Sequence, residues 1–275
     1  MILPGATLGI LGGGQLGRMF TVAARQMGYR VLVLDPDPLS PAAEMADEHL
    51  RAHYTDASAL ERMARDCVAV TTEFENVPAD SLAWLARHCT VSPAAASVAT
   101  VQDRIREKTF LREQSFATTP FAAIHQASEL GPALATVGSP ALLKISRMGY
   151  DGKGQARVHS LAEAEVAFAQ MGGEACVLEA FLPLQQELSV IVARGADGQT
   201  AAWPVAENQH QNGILDISIV PARCPDALAA QVRDNAIAVL ESLQYVGVAA
   251  VEFFLLTDGS LCINEIAPRP HNSGH

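Results

Sequence analysis

A chain of 275 residues that is 49% hydrophobic can bury a sizeable core and has room for two compact domains, which excludes a disordered protein. Its formal net charge of -11 excludes a general binder of nucleic acid or anionic membrane, because such surfaces cluster Lys and Arg against phosphates. Five cysteines (Cys67, Cys89, Cys176, Cys224, Cys262) form no C-x-x-C pair, the first positive side chain is Arg18, and no apolar stretch reaches membrane length; a soluble cytoplasmic protein is expected.

The first third reads as alternating strands and helices. Leu8, Ile10 and Leu11 lead into Gly12-x-Gly14-x-x-Gly17, and a helical pattern follows through Leu16, Met19, Phe20, Ala23 and Met27. The strand in "YRVLVLDPDP" ends at Asp35, about where a ribose-binding carboxylate would stand in a dinucleotide site. Helix "DASALERMARDC", strand "VAVTTEFE", helix "PADSLAWLARHC" and a short strand at "TVSP" complete a small doubly wound parallel sheet. The glycine turn fits a nicotinamide cofactor, but it equally fits any phosphate or small ligand at a helix N-terminus. Glu73 and Glu75 fall at the carboxyl end of a parallel strand, where open α/β sheets bind ligands, though a solvated strand end reads the same way.

A long helical stretch, "AAASVATVQDRIREKTFLREQS", precedes "PALLKISRMGYDGKGQARV". In the latter, Gly149, Gly152 and Gly154 alternate with Tyr150, Asp151 and Lys153 after Lys144, which suits close approach of main-chain amides to phosphate. A plain hairpin with exposed lysines is the other reading. "CVLEAFLPLQQELSVIVARG" gives two strands joined by a Pro-containing link, with Glu179 and Glu187 near their ends, and His210 in "ENQHQNG" is ambiguous by itself.

In "GVAAVEFFLLTDGSLCINEIAPRP", Asp258-Gly259 signals a two-residue type I′ hairpin, and pairing Thr257 with Ser260 sets Glu252 opposite Glu265. Opposed like charges on one face are destabilising, and a magnesium ion between the carboxylates would compensate. A protonated glutamate or an intervening bulge would do so too. In a regular strand Asn264 would face the other way.

Together, "GILGGGQLGRM", "TEFENV", "QDRIREK", "GYDGKGQ" and "INEIAPRPHNSGH" resemble the ATP-grasp superfamily, and within it the purine-pathway ligases that carboxylate 5-aminoimidazole ribonucleotide. The resemblance implies a pre-ATP-grasp substrate domain (1-95), a small lobe with the glycine loop (96-172) and a large lobe (173-275). It implies binding of ATP and Mg2+, and phosphoryl transfer to bicarbonate through carboxyphosphate. The nucleotide site would comprise Arg104, Lys144, Gly149, Tyr150, Asp151, Gly152, Lys153, Gly154, Gln155, Glu179, Ala180, Phe181, Leu182, Glu187, His210, Asn264 and Glu265. Glu252 and Glu265 would hold the metal. Gln15, Leu16, Glu73, Tyr150, Asp151, Lys153, Asn272 and Ser273 would contact the aminoimidazole ribonucleotide, and Lys144, Asp151, Lys153 and Arg269 would be catalytic. The glycine turn then becomes a substrate surface rather than a dehydrogenase fingerprint.

The resemblance also implies a homodimer through the N-terminal sheet and several tens of residues beyond His275, supplying a basic pair for the substrate phosphate; the chain is expected to be truncated and its activity impaired. Alternatives are another ATP-grasp ligase, such as a formate-dependent glycinamide ribonucleotide transformylase, and a truncated non-catalytic nucleotide-binding protein.

Overall fold

The computed structural model describes residues 2–149, 154–211 and 213–274. Strands β1 (Thr7–Leu11), β2 (Arg30–Leu34), β3 (Glu48–Leu50), β4 (Ala69–Thr72) and β5 (Thr90–Val91) form a parallel sheet in the order β3-β2-β1-β4-β5. The central strands β1 and β2 read as largely apolar runs because helices cover both faces. Ile10, Val31 and Val33 pack with Ala24 of α1 (Gln15–Gln26), whereas Leu11, Leu32 and Leu34 pack with residues of α2 (Ala57–Asp66) and α3 (Ala79–Leu85). Strand order reverses between β1 and β4, so the glycine turn after β1 and residues 73–76 after β4 share one crevice.

The single helical stretch expected next is two helices, α4 (Ala95–Val101) and α5 (Arg104–Glu113). Asp103 breaks them apart by accepting hydrogen bonds from the Ile105 and Arg106 amides, a cap that starts a new helix.

The small lobe is an antiparallel sheet ordered β6-β9-β7-β8, from β6 (Phe121–Ile124), β7 (Ala141–Ile145), β8 (Gln155–Val158) and β9 (Cys176–Ala180). Helices α6 (Leu130–Val137) and α7 (Leu161–Gln170) supply the other half of its core. The glycine segment connects β7 to β8, so the hairpin reading of its ends is correct, but Lys144 is not an exposed lysine: its side chain is 12% exposed.

The large lobe runs β13-β12-β10-β14-β15, with β11 (Thr200–Ala202) also paired to β10. Its strands are β10 (Leu184–Arg194), β12 (Ala206–Gln211), β13 (Ile214–Ile219), β14 (Gly247–Leu256) and β15 (Leu261–Ala267). Leu188, Val190, Val192, Val251 and Phe253 pack in one core with Val232, Ala236, Val239 and Leu240 of α8 (Asp226–Ser242). Period-two alternation then puts Glu187, Ser189 and Glu252 on the opposite face.

The hairpin turn is not type I′. Asp258 has no positive φ, Gly259 has φ 84°, and the Gly259 amide donates to the Leu256 carbonyl, so Thr257 and Asp258 occupy the turn and Gly259 takes the left-handed position after it. This pairs Leu255 with Leu261, one residue off the expected register. A bulge between Phe253 and Glu252 absorbs Asn264 and restores the pairing of Glu252 with Glu265. Two deviations thus cancel.

Candidate active site

The glycine turn is shaped by a carboxylate of the protein itself. Glu73 Oε2 accepts the Gly14 amide at 2.5 Å, and the amides of Gly17 and Leu16 further stabilise its ionised form, while burial pushes its pKa up. A Cβ on Gly14 would collide with the Glu73 carboxylate, one on Gly17 would lie 2.7 Å from it, and one on Gly12, where φ is 101°, would lie 2.9 Å from the Glu73 side chain. The fingerprint spacing therefore follows from packing around Glu73. Asp35, placed by its spacing as a ribose ligand, is already occupied: it accepts from the amides of Gly13 (2.7 Å) and Asp37 (2.7 Å) and from the Tyr54 hydroxyl (2.8 Å). Glu73, expected at the substrate, is 8% exposed and lies beneath the turn. Gln15, exposed, and Leu16, half-buried, begin α1 above it.

A cavity of about 350 Å³ lies between the two lobes of the rest of the chain. Its wall contains Arg104, Lys144, Gly149, Gly154, Gln155, Glu187, His210, Glu252, Asn264, Glu265, Arg269 and Asn272, residues expected at the site on separate motifs. Glu75, placed from sequence at the ligand-binding end of a strand but given no role, also lines it, as does His271, which was not singled out. A smaller cavity of about 50 Å³ adjoins it, sharing Glu75, Arg104, Gly149, Glu265 and Arg269. Arg269 Nε meets Glu75 Oε2 at 2.9 Å, tying the segment after β4 to the large lobe.

Glu252 and Glu265 both face the large cavity, and the bulge brings Asn264 into the same wall. Arg104 Nη1 is 2.6 Å from Glu265 Oε2, and His271 Nε2 is 2.9 Å from Glu252 Oε1. Burial alone would raise the Glu265 pKa, but Arg104 beside it holds the carboxyl down at about 2. Asn264 Oδ1 is buried and has no hydrogen-bond partner among the described residues. Two carboxylates and an unpartnered amide oxygen are a hard donor set that fits a magnesium ion completing its shell with water and phosphate. Among the described residues no group of three or more His, Cys, Asp or Glu could hold a metal, so the amide and outside ligands matter.

Below the cavity floor lies a buried charge network. Glu179, 1% exposed, receives Lys144 Nζ at 2.9 Å and Lys108 Nζ at 3.5 Å, and Lys108 also donates to the Asn264 carbonyl at 3.2 Å. Burial opposes ionisation of Glu179, yet the two ammonium groups hold its pKa low. Glu107 Oε1 accepts the Ile266 amide at 2.5 Å; burial first, then the charge of Glu265, pushes its pKa up to about 8. Neither Glu107 nor Lys108 was assigned from sequence. The signal was there: with Arg104 and Leu111 they fall at helical spacings i, i+3, i+4 and i+7, the stripe an amphipathic helix buries.

Across β10 and β12, His210 Nδ1 and Glu187 Oε2 are 2.8 Å apart, and that hydrogen bond raises the His210 pKa. The link from Glu179 to Leu182 departs from expectation. Ala180 and Phe181 give their amides to the carbonyls of Pro120 and Pro140, and the Phe181 ring lies under Arg157 at 3.9 Å. Only the Leu182 amide has no backbone acceptor among the described residues, and Ala180, Phe181 and Leu182 are not in the cavity wall. Ser273, expected at the substrate, is 6% exposed and hydrogen-bonded to Ser189 and His271 instead. Tyr150, Asp151, Gly152 and Lys153 lie outside the described residues.

Comparison with known proteins agrees with this arrangement. Residues 109–275 match the ATP-grasp domain and residues 5–102 the ribonucleotide synthetase preATP-grasp domain. The chain is therefore an ATP-grasp protein with a ribonucleotide-synthetase front domain. It is 42% identical over its full length to the N5-carboxyaminoimidazole ribonucleotide synthase of Bacillus subtilis, covering 72% of that protein, and 44% identical to that of Brucella melitensis, covering 99% of this chain and 76% of the relative. An ADP complex of an N5-carboxyaminoimidazole ribonucleotide synthetase superposes with a TM-score of 0.95 at 41% identity, covering 100% of this chain and 73% of the other. The Aspergillus clavatus enzyme, in complex with ADP and 5-aminoimidazole ribonucleotide, does so at 0.90 and 30% identity, covering 98% and 71%. The chain belongs to the N5-carboxyaminoimidazole ribonucleotide synthase family, a family of ATP-grasp ligases. Among the described residues no helix is long and apolar enough to cross a membrane, and all five cysteines are free.

Proposed function

We propose that the cavity is where ATP, bicarbonate and 5-aminoimidazole ribonucleotide meet, and that Glu252, Glu265 and Asn264 hold magnesium there. The observation that carries this is the convergence, around one space, of two carboxylates and an orphan amide oxygen with Lys144, Arg104 and Arg269. Magnesium, when bound, offsets the charge on the triphosphate and orients it for in-line attack. His210 and Glu187 suit the ribose end, and the Leu182 amide is the donor left for the adenine edge. The glycine turn, with Gln15 and Leu16 at its rim and Glu73 fixing it from below, presents a surface for the aminoimidazole ribonucleotide.

A bicarbonate oxygen attacks the γ-phosphorus, the bond to the β-phosphate oxygen breaks, and ADP leaves carboxyphosphate behind. Lys144, Arg104 and Arg269 stabilise the charge that accumulates on the transferring phosphoryl group. The exocyclic amine of the imidazole then attacks the carboxyl carbon and phosphate departs; Lys153 and Asp151 on the glycine loop are assigned to charge neutralisation and amine orientation.

The reading includes a cytoplasmic homodimer formed through the N-terminal sheet; of the three expected units, the boundaries at 95/96 and 172/173 are corrected, because α4 (Ala95–Val101) spans the first and β9 (Cys176–Ala180), past the second, pairs within the small-lobe sheet. ADP release tests the activity: it should need both bicarbonate and aminoimidazole ribonucleotide. Release stimulated instead by formate and glycinamide ribonucleotide would replace the reading with the transformylase alternative.

A further inference from the structure

Strand β15 stands last in the large-lobe sheet, so its outward main-chain groups meet no neighbouring strand. Residues of α5 and of the segment after it take that place. The Ile263 amide donates to the Ala117 carbonyl at 2.8 Å, and the Ile263 carbonyl accepts the Thr118 hydroxyl at 3.0 Å. Further along, the Asn264 carbonyl accepts from Lys108 Nζ at 3.2 Å, and the Ile266 amide donates to Glu107 Oε1 at 2.5 Å. Between these two, Arg104 Nη1 reaches the Glu265 carboxylate at 2.6 Å. Positions 104, 107 and 108 share one face of α5, and that face holds three consecutive residues of β15.

The grip falls on the bulge. Continued without it, the pairing of Leu255 with Leu261 would set Asn264 opposite Glu252 and turn Glu265 to the core face of Val251 and Phe253. Ile263 and Ile266, both in that core, favour the bulged register, but packing on one face leaves open how the extra residue is turned. The Asn264 carbonyl and the Ile266 amide flank Glu265, and bonding both fixes the peptide planes on its two sides. Their partners are rigidly placed: Glu107 is 2% exposed, and Lys108, 1% exposed, is itself held by Glu179 at 3.5 Å. Asn264 Oδ1 has no hydrogen-bond partner among the described residues, so its aim follows from the main chain that carries it.

We propose that Glu107 and Lys108 are positioning residues: by bonding the main chain on either side of Glu265, they hold the bulge in the form that presents the Asn264 amide oxygen and the Glu265 carboxylate to one cation. Neither is in the wall of the large cavity. The inference rests on magnesium being held by Glu252, Glu265 and Asn264, and it adds the part of the fold that sets how those groups are spaced. Losing a supporting partner of this kind typically costs 10-fold to 100-fold in metal affinity, on the order of what is expected here.

The test is calorimetric titration of the whole chain with ADP, once in magnesium chloride and once in EDTA, the ratio of the two affinities measuring what the cation contributes. Magnesium should tighten ADP binding to the unmodified chain. Glu107→Met, close in shape but without an acceptor for the Ile266 amide, should cut the ratio about tenfold and leave ADP affinity in EDTA within about twofold. Glu107→Gln keeps an acceptor oxygen and should keep the ratio. Lys108→Met should cut the ratio as Glu107→Met does, and it decides the matter if far-UV circular dichroism shows Glu107→Met unfolded. An unchanged ratio in the folded Met variants overturns the proposal whatever happens to affinity in EDTA, because a merely structural role lowers both affinities together. A ratio cut as deeply in Glu107→Gln as in Glu107→Met overturns it too, since the acceptor oxygen would not be what matters. Equal affinities with and without magnesium in the unmodified chain overturn the magnesium reading itself, and the proposal with it.

Discussion

Glu252 and Glu265 stand directly opposite each other across β14 and β15, and each has a separate partner, His271 on the one and Arg104 on the other. The pairing of two like charges is therefore supported by the protein before any ion enters, and a metal that binds shares these carboxylates with the two side chains. Glu265→Gln should keep the fold, judged by far-UV circular dichroism, and lower ATP turnover by at least about 100-fold, because it removes an anionic ligand and frees Arg104. Turnover retained at the original magnesium dependence would show that Glu265 is not a ligand.

Gly14→Ala tests the origin of the glycine fingerprint. The added Cβ falls on the Glu73 carboxylate, which cannot retreat without giving up the Gly14 amide. Overpacking of this kind costs about 1–3 kcal/mol, to be read as a lower urea midpoint. Glu73→Ala combined with Gly14→Ala should recover part of that loss; a simple sum of the two penalties would mean that the turn is set by something else.

Much of this was legible in the sequence, and the misses have physical causes. The parallel sheet followed from apolar runs separated by helical periodicity, and the cavity wall from motifs that each carry unusual polar residues at strand ends. The Glu252–Glu265 pairing followed from a turn type that does not occur: Gly259 shifts the register one way and the bulge at Asn264 shifts it back. A strict alternation rule cannot see a bulge. Lys108 and Glu107 escaped because charged residues on a helix are ordinarily read as its solvated face, although their spacing marked the buried one. The buried hydrogen bonds of Ser189 carry no local signal at all: its partners Ser273 and Asn208 stand 84 and 19 positions away.

Lys108→Met asks how much the network under the cavity depends on that charge. Glu179 would keep Lys144 alone, and the Asn264 carbonyl would lose its donor. Breaking a buried ion network on one side costs about 3–5 kcal/mol, since it leaves charge without compensation. The expected readout is a matching drop in unfolding free energy, together with weaker ATP binding as Lys144 is drawn more firmly to Glu179. Unchanged stability would place Lys108 outside the network.

Glu107 gives the pH dependence a sign. Its carboxyl is pushed up to about 8 in the folded chain from an ordinary value of 4.5, by burial first and by Glu265 second, so between these limits the folded state holds a proton that the unfolded state releases. Stability linked to this group is full below the lower limit, falls as pH rises through the interval and is flat above about 8. Glu107→Gln mimics the protonated acid and still accepts from the Ile266 amide, so the difference in stability between the two chains should grow in favour of the variant from pH 5 to pH 8 and then level off. Melting temperatures measured across that range check it. Parallel curves would mean that Glu107 is ionised in the folded chain, with Lys108 and Arg104 outweighing its burial.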